Sequence, residues 1–179
     1  MSEPKIDPRV TTFVDRLAKL DAGGKARLKR NAGKSLDEAN SNLGLFYSLL
    51  QHLGVPTSHE GKYWLIATLF PHTEAATSGN FGAALRRARS AQYRKGLDRR
   101  VEALLDSDDT QLAYRLGQTI RFLHAQRVAV NWQSLLADIL QWEHPSRFIQ
   151  KQWAKAYFAL STDQLEQKTS QDNDSQEKE

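Results

Sequence analysis

The chain contains no cysteine. Disulfides and thiolate chemistry are thereby excluded, and the composition fits a reducing cytoplasm. No apolar run approaches the ~20 residues needed to cross a bilayer, so no membrane partner is expected. The opening Met-Ser-Glu-Pro-Lys is followed by no apolar segment, and no signal peptide is visible. β-Structure is almost missing from the pattern: Val128-Ala129-Val130 is the single short β-like run, and it lies between helical stretches. No internal repeat is present.

Recognisable catalytic and metal-binding signatures are also lacking. Gly33-Lys34-Ser35 ends like a phosphate-binding loop, but Leu28 stands where the first glycine belongs and the preceding run is helical rather than a strand. The five histidines, His52, His59, His72, His124 and His144, include no pair at i, i+3 or i, i+4 spacing and no His-Glu-x-x-His motif. Asp106, Asp108 and Asp109 lack the glycine and distal glutamate of a calcium loop, so they read as helix caps. No Gly-x-Ser-x-Gly elbow occurs. A non-enzyme with no cofactor, metal or small-molecule substrate is expected. A nuclease site assembled by folding stays open to an incubation with labelled DNA and Mg²⁺ or Mn²⁺.

What the 179 residues do contain is helical periodicity. Val10, Phe13, Val14, Leu17 and Leu20 form one stripe after Pro8, stopped by Asp21 and the Gly23-Gly24 pair. A short basic helix follows from Lys25 to Asn31. Ser35-Leu36-Asp37-Glu38 has the form of a capping box, and the helix it opens should reach about Leu53. Thr57-Ser58-His59-Glu60 offers a second box before an apolar helix ending at Pro71, central to the core. Further helices are expected from about Asn80 to Arg89, from Leu97 to Leu105, after the acidic cap Ser107–Thr110, after Asn131 and after Pro145; Ser90–Gly96 reads as a connection. The expected fold is therefore all-α, a bundle of about eight helices in two packed lobes. Residues 1–105 would form an N-terminal lobe and 106–160 a smaller C-terminal one. Residues 161–179 carry a net −4 with one large apolar residue, Leu165, and read as a disordered acidic tail.

Charge is the strongest functional signal. The formal net charge of +4 hides +8 on the first 160 residues. Between Arg86 and Arg100, the cations Arg86, Arg87, Arg89, Arg94, Lys95, Arg99 and Arg100 are opposed only by Asp98. Lys25, Arg27, Lys29, Arg30 and Lys34 form a second cluster, Arg147, Lys151 and Lys155 a third ridge, and Arg115, Arg121 and Arg127 are scattered over the preceding helical region. Such density opposes compaction unless a polyanion meets it, and Lys and Arg gain affinity for nucleic acid by releasing its counterions. The other reading is a set of solvated helix faces. Tyr93, inside the densest run, either stacks on an unpaired base or packs between lobes. No sheet-aromatic, zinc-finger or Gly-x-x-Gly signature of base readout is present, so backbone contact, with single strands preferred over duplex, is expected.

Several stretches resemble one family. Phe13-Val-Asp-Arg-Leu-Ala-Lys-Leu-Asp-Ala-Gly-Gly-Lys-Ala-Arg-Leu-Lys-Arg30 resembles the opening of the CasB family, the small subunit of the type I-E CRISPR surveillance complex called Cascade, with Lys29 in place of an arginine. Leu97–Leu123 looks like that family's middle. Val130-Asn-Trp-Gln-Ser-Leu-Leu-Ala-Asp-Ile-Leu-Gln-Trp142 looks like its Val-Asp-Trp-x-x-Leu-Leu-x-Asp-Leu segment, with Asn131 where Asp is usual, and Trp153-Ala-Lys-Ala-Tyr157 like its closing Trp-Ala-x-x-Tyr. The resemblance covers roughly residues 10–160. It implies an all-helical, non-catalytic subunit, present in two copies beside other Cascade subunits and a crRNA, that stabilises the R-loop and holds the displaced DNA strand. Lys25, Arg27, Lys29 and Arg30 then match the family's basic N-terminal helix. Arg86, Arg87, Arg89, Arg94, Lys95, Arg99 and Arg100 fall in its Arg-rich middle, and Arg115 and Arg121 join the candidate contacts. A purely scaffolding subunit, or a basic helical nucleic-acid-binding protein outside CRISPR, stays open.

Overall fold

A computed structural model describes residues 6–90 and 92–159. The expected acidic tail lies outside them. Nine α-helices occur among the described residues: α1 (Pro8–Lys19), α2 (Ala22–Lys29), α3 (Leu43–Leu50), α4 (Thr57–Leu69), α5 (Phe81–Arg87), α6 (Arg94–Leu105), α7 (Asp109–Ala125), α8 (Trp132–Ile139) and α9 (Phe148–Phe158). A single 3-10 turn, Phe70–His72, extends α4 through Pro71. The chain is all-α, as its periodicity implies. The β-like Val130 makes one isolated parallel bridge: its amide donates to the Glu74 carbonyl at 3.0 Å, and its carbonyl accepts from Ala76 N at 2.8 Å.

Local chemistry moves three helix starts away from where the sequence places them. The Gly23-Gly24 pair does not separate α1 from α2 as a loop. Asp21 accepts the Gly24 amide at 2.6 Å and caps α2, so both glycines lie in its first turn, and α1 stops at Lys19 when Leu20 turns extended. The Ser35–Glu38 box forms both its bonds, Ser35 N to Glu38 Oε2 at 2.8 Å and Glu38 N to Ser35 Oγ at 3.3 Å, yet closes an isolated turn. Asn42 takes a left-handed conformation (φ 68°), and α3 starts only after it. Thr57 is the first residue of α4 rather than its cap, and Glu60 instead accepts the Tyr47 hydroxyl of α3 at 2.9 Å. The caps at Asn80, Asp108 and Asn131 form, each accepting the amide three residues on.

The core is contiguous and holds all four tryptophans, Trp64, Trp132, Trp142 and Trp153. α4 is buried on most sides, against α2, α7 and α8, while α1 packs on α3 and α8. The closest helix pair is α5 with α9, a contact that crosses the acidic punctuation at Asp106–Asp109. α6 lies against α7 and α9. Two buried indoles are satisfied by backbone, Trp64 Nε1 by the Lys34 carbonyl (2.9 Å) and Trp142 Nε1 by the Ser107 carbonyl (3.0 Å). The first of these explains the Gly33-Lys34 segment, whose glycine sits at φ 93° to let the chain turn beneath Trp64.

Candidate nucleic-acid interface

The densest cationic stretch is divided between two helices and a short connection. Arg86 and Arg87 end α5, where cations meet the partial negative charge of the helix terminus. α6 begins at Arg94, three residues before the apolar pattern suggests, because Arg94 and Lys95 complete the turn before Leu97. Arg94, Lys95 and Arg99 are exposed, and Lys95 and Arg99 lie one turn apart on α6 with no ion pair to another described residue.

Other members of the run are committed to the fold. Arg89 binds Asp98 through two nitrogens, Nε to Oδ1 at 3.0 Å and Nη2 to Oδ2 at 3.2 Å. The Tyr157 hydroxyl donates to the same Asp98 Oδ1 at 2.5 Å. The Arg89 guanidinium also lies over the rings of Tyr157 (5.2 Å) and Phe158 (5.7 Å). Bonds from Arg89 hold the Asp98 carboxyl below its ordinary range, and burial first, then Asp98, pushes the Tyr157 phenol up. The one acid in the run is thus held chiefly by Arg89, with Arg94 at the outer edge of ion-pair distance (4.0 Å), and it fastens α6 to the end of α5 and to α9. Removing this cation should cost stability rather than affinity. Arg89→Ala is expected to lower unfolding free energy by about 1–2 kcal/mol, because Asp98 loses a two-pronged charged partner. Lys95→Ala should stay within about 0.5 kcal/mol of the parent. Urea titrations of both variants check this, and equal midpoints would refute the assignment.

The remaining candidates sort the same way. Arg100 lies over the Phe122 ring at 4.9 Å, and Tyr93 packs edge-on against that ring at 6.0 Å while staying partly exposed. Tyr93 therefore does the packing that the sequence offers as one of its two roles, across α6 and α7. Arg87 donates to the Ala129 carbonyl at 3.0 Å, and Arg86 Nη1 is buried without a partner. Arg115 lies beside the Tyr114 ring, with Nε buried and unpartnered. On α2, Lys25 reaches back to the Ala18 carbonyl (3.0 Å) and Arg27 to Asn42 Oδ1 (2.8 Å), whereas Lys29 and Arg30 are exposed with no hydrogen bond to a described side chain or carbonyl from their own side chains. In the third ridge, Arg147 donates to the Leu105 carbonyl from a left-handed position (φ 50°), while Lys151 and Lys155 are exposed.

The fold also joins residues that sequence spacing keeps apart. The 3-10 turn packs against α2 and α7. His72 on that turn is held below its ordinary range by burial first, then by Lys29, Arg121 and His124. The two histidines read as scattered in the sequence because 52 positions separate them, and no local pattern signals their meeting. Among the described residues no group of three or more His, Asp or Glu side chains is arranged to hold a metal, and no helix is long and apolar enough to cross a membrane.

A family model described as CRISPR-associated protein Cse2 matches residues 24–158. The chain is 30% identical over 108 residues to the CRISPR-associated protein Cse2 of Thermus thermophilus, a match covering 59% of this chain and 61% of that protein. The chain therefore spans less than two thirds of that curated relative. CasB of M. ruber has a similar structure, with TM-score 0.71 and 25% identity over 86% of this chain and 94% of that one. A chain of a CRISPR RNA-guided surveillance complex shares the fold at TM-score 0.71 and 20% identity, covering 92% of this chain and 97% of its own.

Proposed function

This chain belongs to the CRISPR-associated protein Cse2 family, and on that premise we propose that it is a non-catalytic small subunit of a crRNA-guided type I-E surveillance complex, Cascade. Its partners are the other Cascade subunits, the crRNA, a second copy of itself and target DNA, chiefly the displaced strand, in the cytoplasm. The observation that carries the nucleic-acid part is the exposed cation set of α2 and α6, Lys29, Arg30, Arg94, Lys95 and Arg99. The acid of the run, Asp98, is bound by Arg89 and lies 4.0 Å from the exposed Arg94, while Lys29, Arg30, Lys95 and Arg99 pair with no described acid. These cations suit phosphate contact without base readout.

The energetics fit a clamp rather than a tight independent binder. Exchanging a DNA duplex for an RNA–DNA hybrid is nearly balanced, so modest protein contacts tip it. Neutralising about five phosphates of a single strand gives a salt slope of about −3.5, or roughly 100-fold in affinity between about 50 and 200 mM salt. Avidity within the complex supplies the rest.

The decisive test uses the assembled, crRNA-loaded complex on a matched target. Lys95→Glu with Arg99→Glu should weaken target binding about 10-fold and flatten the salt slope by about 1.4, with assembly intact. Opening of the displaced strand would be read by permanganate reactivity, and occupancy by gel shift. Unchanged occupancy with intact assembly would remove α6 from the interface. A purely scaffolding role is favoured by the exposed apolar side chains Leu43, Tyr47, Tyr114 and Phe158, which suit protein neighbours. Under that role the same reversal either ejects the subunit, seen by native mass spectrometry, or changes nothing.

A further inference from the structure

Tyr114 on α7 is the most exposed large apolar side chain among the described residues, with 62% of its surface open. Leu112, Leu116 and Leu123 are buried and mark the core side of α7. The helical turn therefore points Tyr114 and Arg121 away from the core, with Gln118 between them and Phe122 set towards α6. The Tyr114 ring is nevertheless held in place. Gln118 Nε2 bonds its hydroxyl at 2.6 Å, and the Arg115 guanidinium lies 5.9 Å from its centroid. Eight residues on, about 12 Å along the axis, Phe122 carries the Arg100 guanidinium at 4.9 Å and the edge of Tyr93 at 6.0 Å. α6 and α7 thus share an outer face on which arginines and rings alternate. α7 has no acid after Asp109, which is itself paired with Lys62 at 2.8 Å. On α6, Asp98 is turned to the end of α5 and to α9 by Arg89 and Tyr157. Glu102, four residues after Asp98, follows it to that side, away from Arg100.

We propose that this α6–α7 face is a stacking platform for the displaced DNA strand, in which Tyr114 takes the face of an unpaired base while Arg99 and Arg121, exposed on the two helices, meet flanking phosphates. The inference rests on the nucleic-acid reading above and deepens it by adding contact with bases. Leu43 and Tyr47 share α3, one turn apart, whereas α7 exposes no second large apolar side chain among the described residues. Tyr114 therefore stands among arginine and amide groups, which suit a polyanion that carries rings better than an apolar partner. Stacking needs no base readout, because every base has a π-face. In an R-loop the guide's bases are taken up in the hybrid, and the displaced strand is the one whose bases are unpaired. The Gln118 bond orients the ring before the strand arrives, so little freedom is lost on binding.

The full chain would be titrated into fluorescein-labelled dT20 and into an abasic 20-mer of the same backbone charge at low salt, and followed by anisotropy. Tyr114→Ala should weaken dT20 binding about 10-fold and leave the abasic strand within about twofold of the parent. The salt slope should stay the same, because no cation is removed. Tyr114→Phe keeps the ring without the Gln118 bond and should hold dT20 within about threefold of the parent. Lys95→Glu with Arg99→Glu should weaken both strands alike. The side chain is exposed, so urea midpoints of the Tyr114 variants should match the parent. Equal loss on both strands from Tyr114→Ala, or no loss on either, overturns the platform and leaves the broader reading standing. In the assembled complex, 5-iodouracil in the displaced strand should crosslink to Tyr114 on irradiation, located by mass spectrometry; this arm decides the matter where the isolated chain binds too weakly to titrate. Crosslinks confined to other residues, or reaching Tyr114 only from a labelled crRNA, overturn the platform. So does ejection of the Tyr114→Ala subunit from the complex, which would assign the ring to a protein neighbour. Absence of crosslinks to any residue of the subunit, together with unchanged target occupancy when the complex lacks it, overturns both readings.

Discussion

Replacing Gly82 by alanine is expected to destabilise the fold by about 3 kcal/mol, near the upper end of what overpacking costs. α5 and α9 touch through backbone at this point. A β-carbon on Gly82 would lie 2.2 Å from the Trp153 carbonyl oxygen and 2.8 Å from Trp153 C and Cα. None of these atoms belongs to a side chain that can swing aside, so the helices must separate. That separation opens the packing of Trp153 on Phe81 (ring centroids 4.9 Å) and on Trp142 (5.0 Å). Alanine's better helix propensity returns only about 0.5–1 kcal/mol. For a chain of this size the net loss corresponds to a melting point lower by roughly 6–12 °C. Calorimetry on the purified variant decides it, and a melting point within a degree of the parent would show that α5 and α9 do not meet as closely as described. The same contact matters for function. The Arg89–Asp98–Tyr157 fastening spans α5, α6 and α9, so the α6 cations inherit their position from the α5–α9 pair.

Most of the fold is readable from local chemistry. The apolar stripes locate most of the helices, the basic run marks α2, and the side-chain caps at Asn80, Asp108 and Asn131 mark the starts of α5, α7 and α8 because a short acceptor three residues before a free amide needs no tertiary help. The Ser35 box misleads for the same reason: its two bonds are satisfied within four residues and are compatible with a lone turn. What continues or stops the chain there is Asn42, whose left-handed backbone and bond to Arg27 depend on α2 lying alongside. Charge clusters are legible as composition, but their division into bound and free cations is not. Arg89 differs from Lys95 only because Asp98 faces it and Tyr157, 59 residues beyond Asp98, completes the set. The meeting of His72 with Lys29, Arg121 and His124 is wholly a product of helix packing, and no periodicity could announce it.

A second large effect concerns Asp138, which joins the two segments carrying the family resemblance in the C-terminal half. Trp153 Nε1 donates to Asp138 Oδ2 at 2.6 Å, so a polar bond links α8 to α9. Burial pushes the Asp138 carboxyl up to about 6, and the Trp153 bond only partly offsets it. The sign is the reverse of a salt-bridged aspartate. Below about pH 3, folded and unfolded chains both hold the proton and Asp138 costs nothing. As pH rises from about 3 towards 6, the unfolded chain releases the proton while the folded one keeps it, so this group's contribution to stability falls. Above pH 6 the penalty is constant, at most about 3 kcal/mol and nearer 2 because the residue is not fully sealed from water. Asp138→Asn keeps an acceptor for the indole and has no charge to bury. It should therefore match the parent near pH 3 and exceed it by about 2 kcal/mol at pH 7, measured as the difference between urea midpoints. Taking the difference cancels Asp7, Glu38, Asp98 and Asp108, whose lowered values act in the opposite direction. Trp153→Phe would report from the other side: with the donor removed, the carboxyl should titrate above about 6, visible in its side-chain ¹³C shift. A difference that does not change with pH would mean that Asp138 reaches water freely in the folded chain.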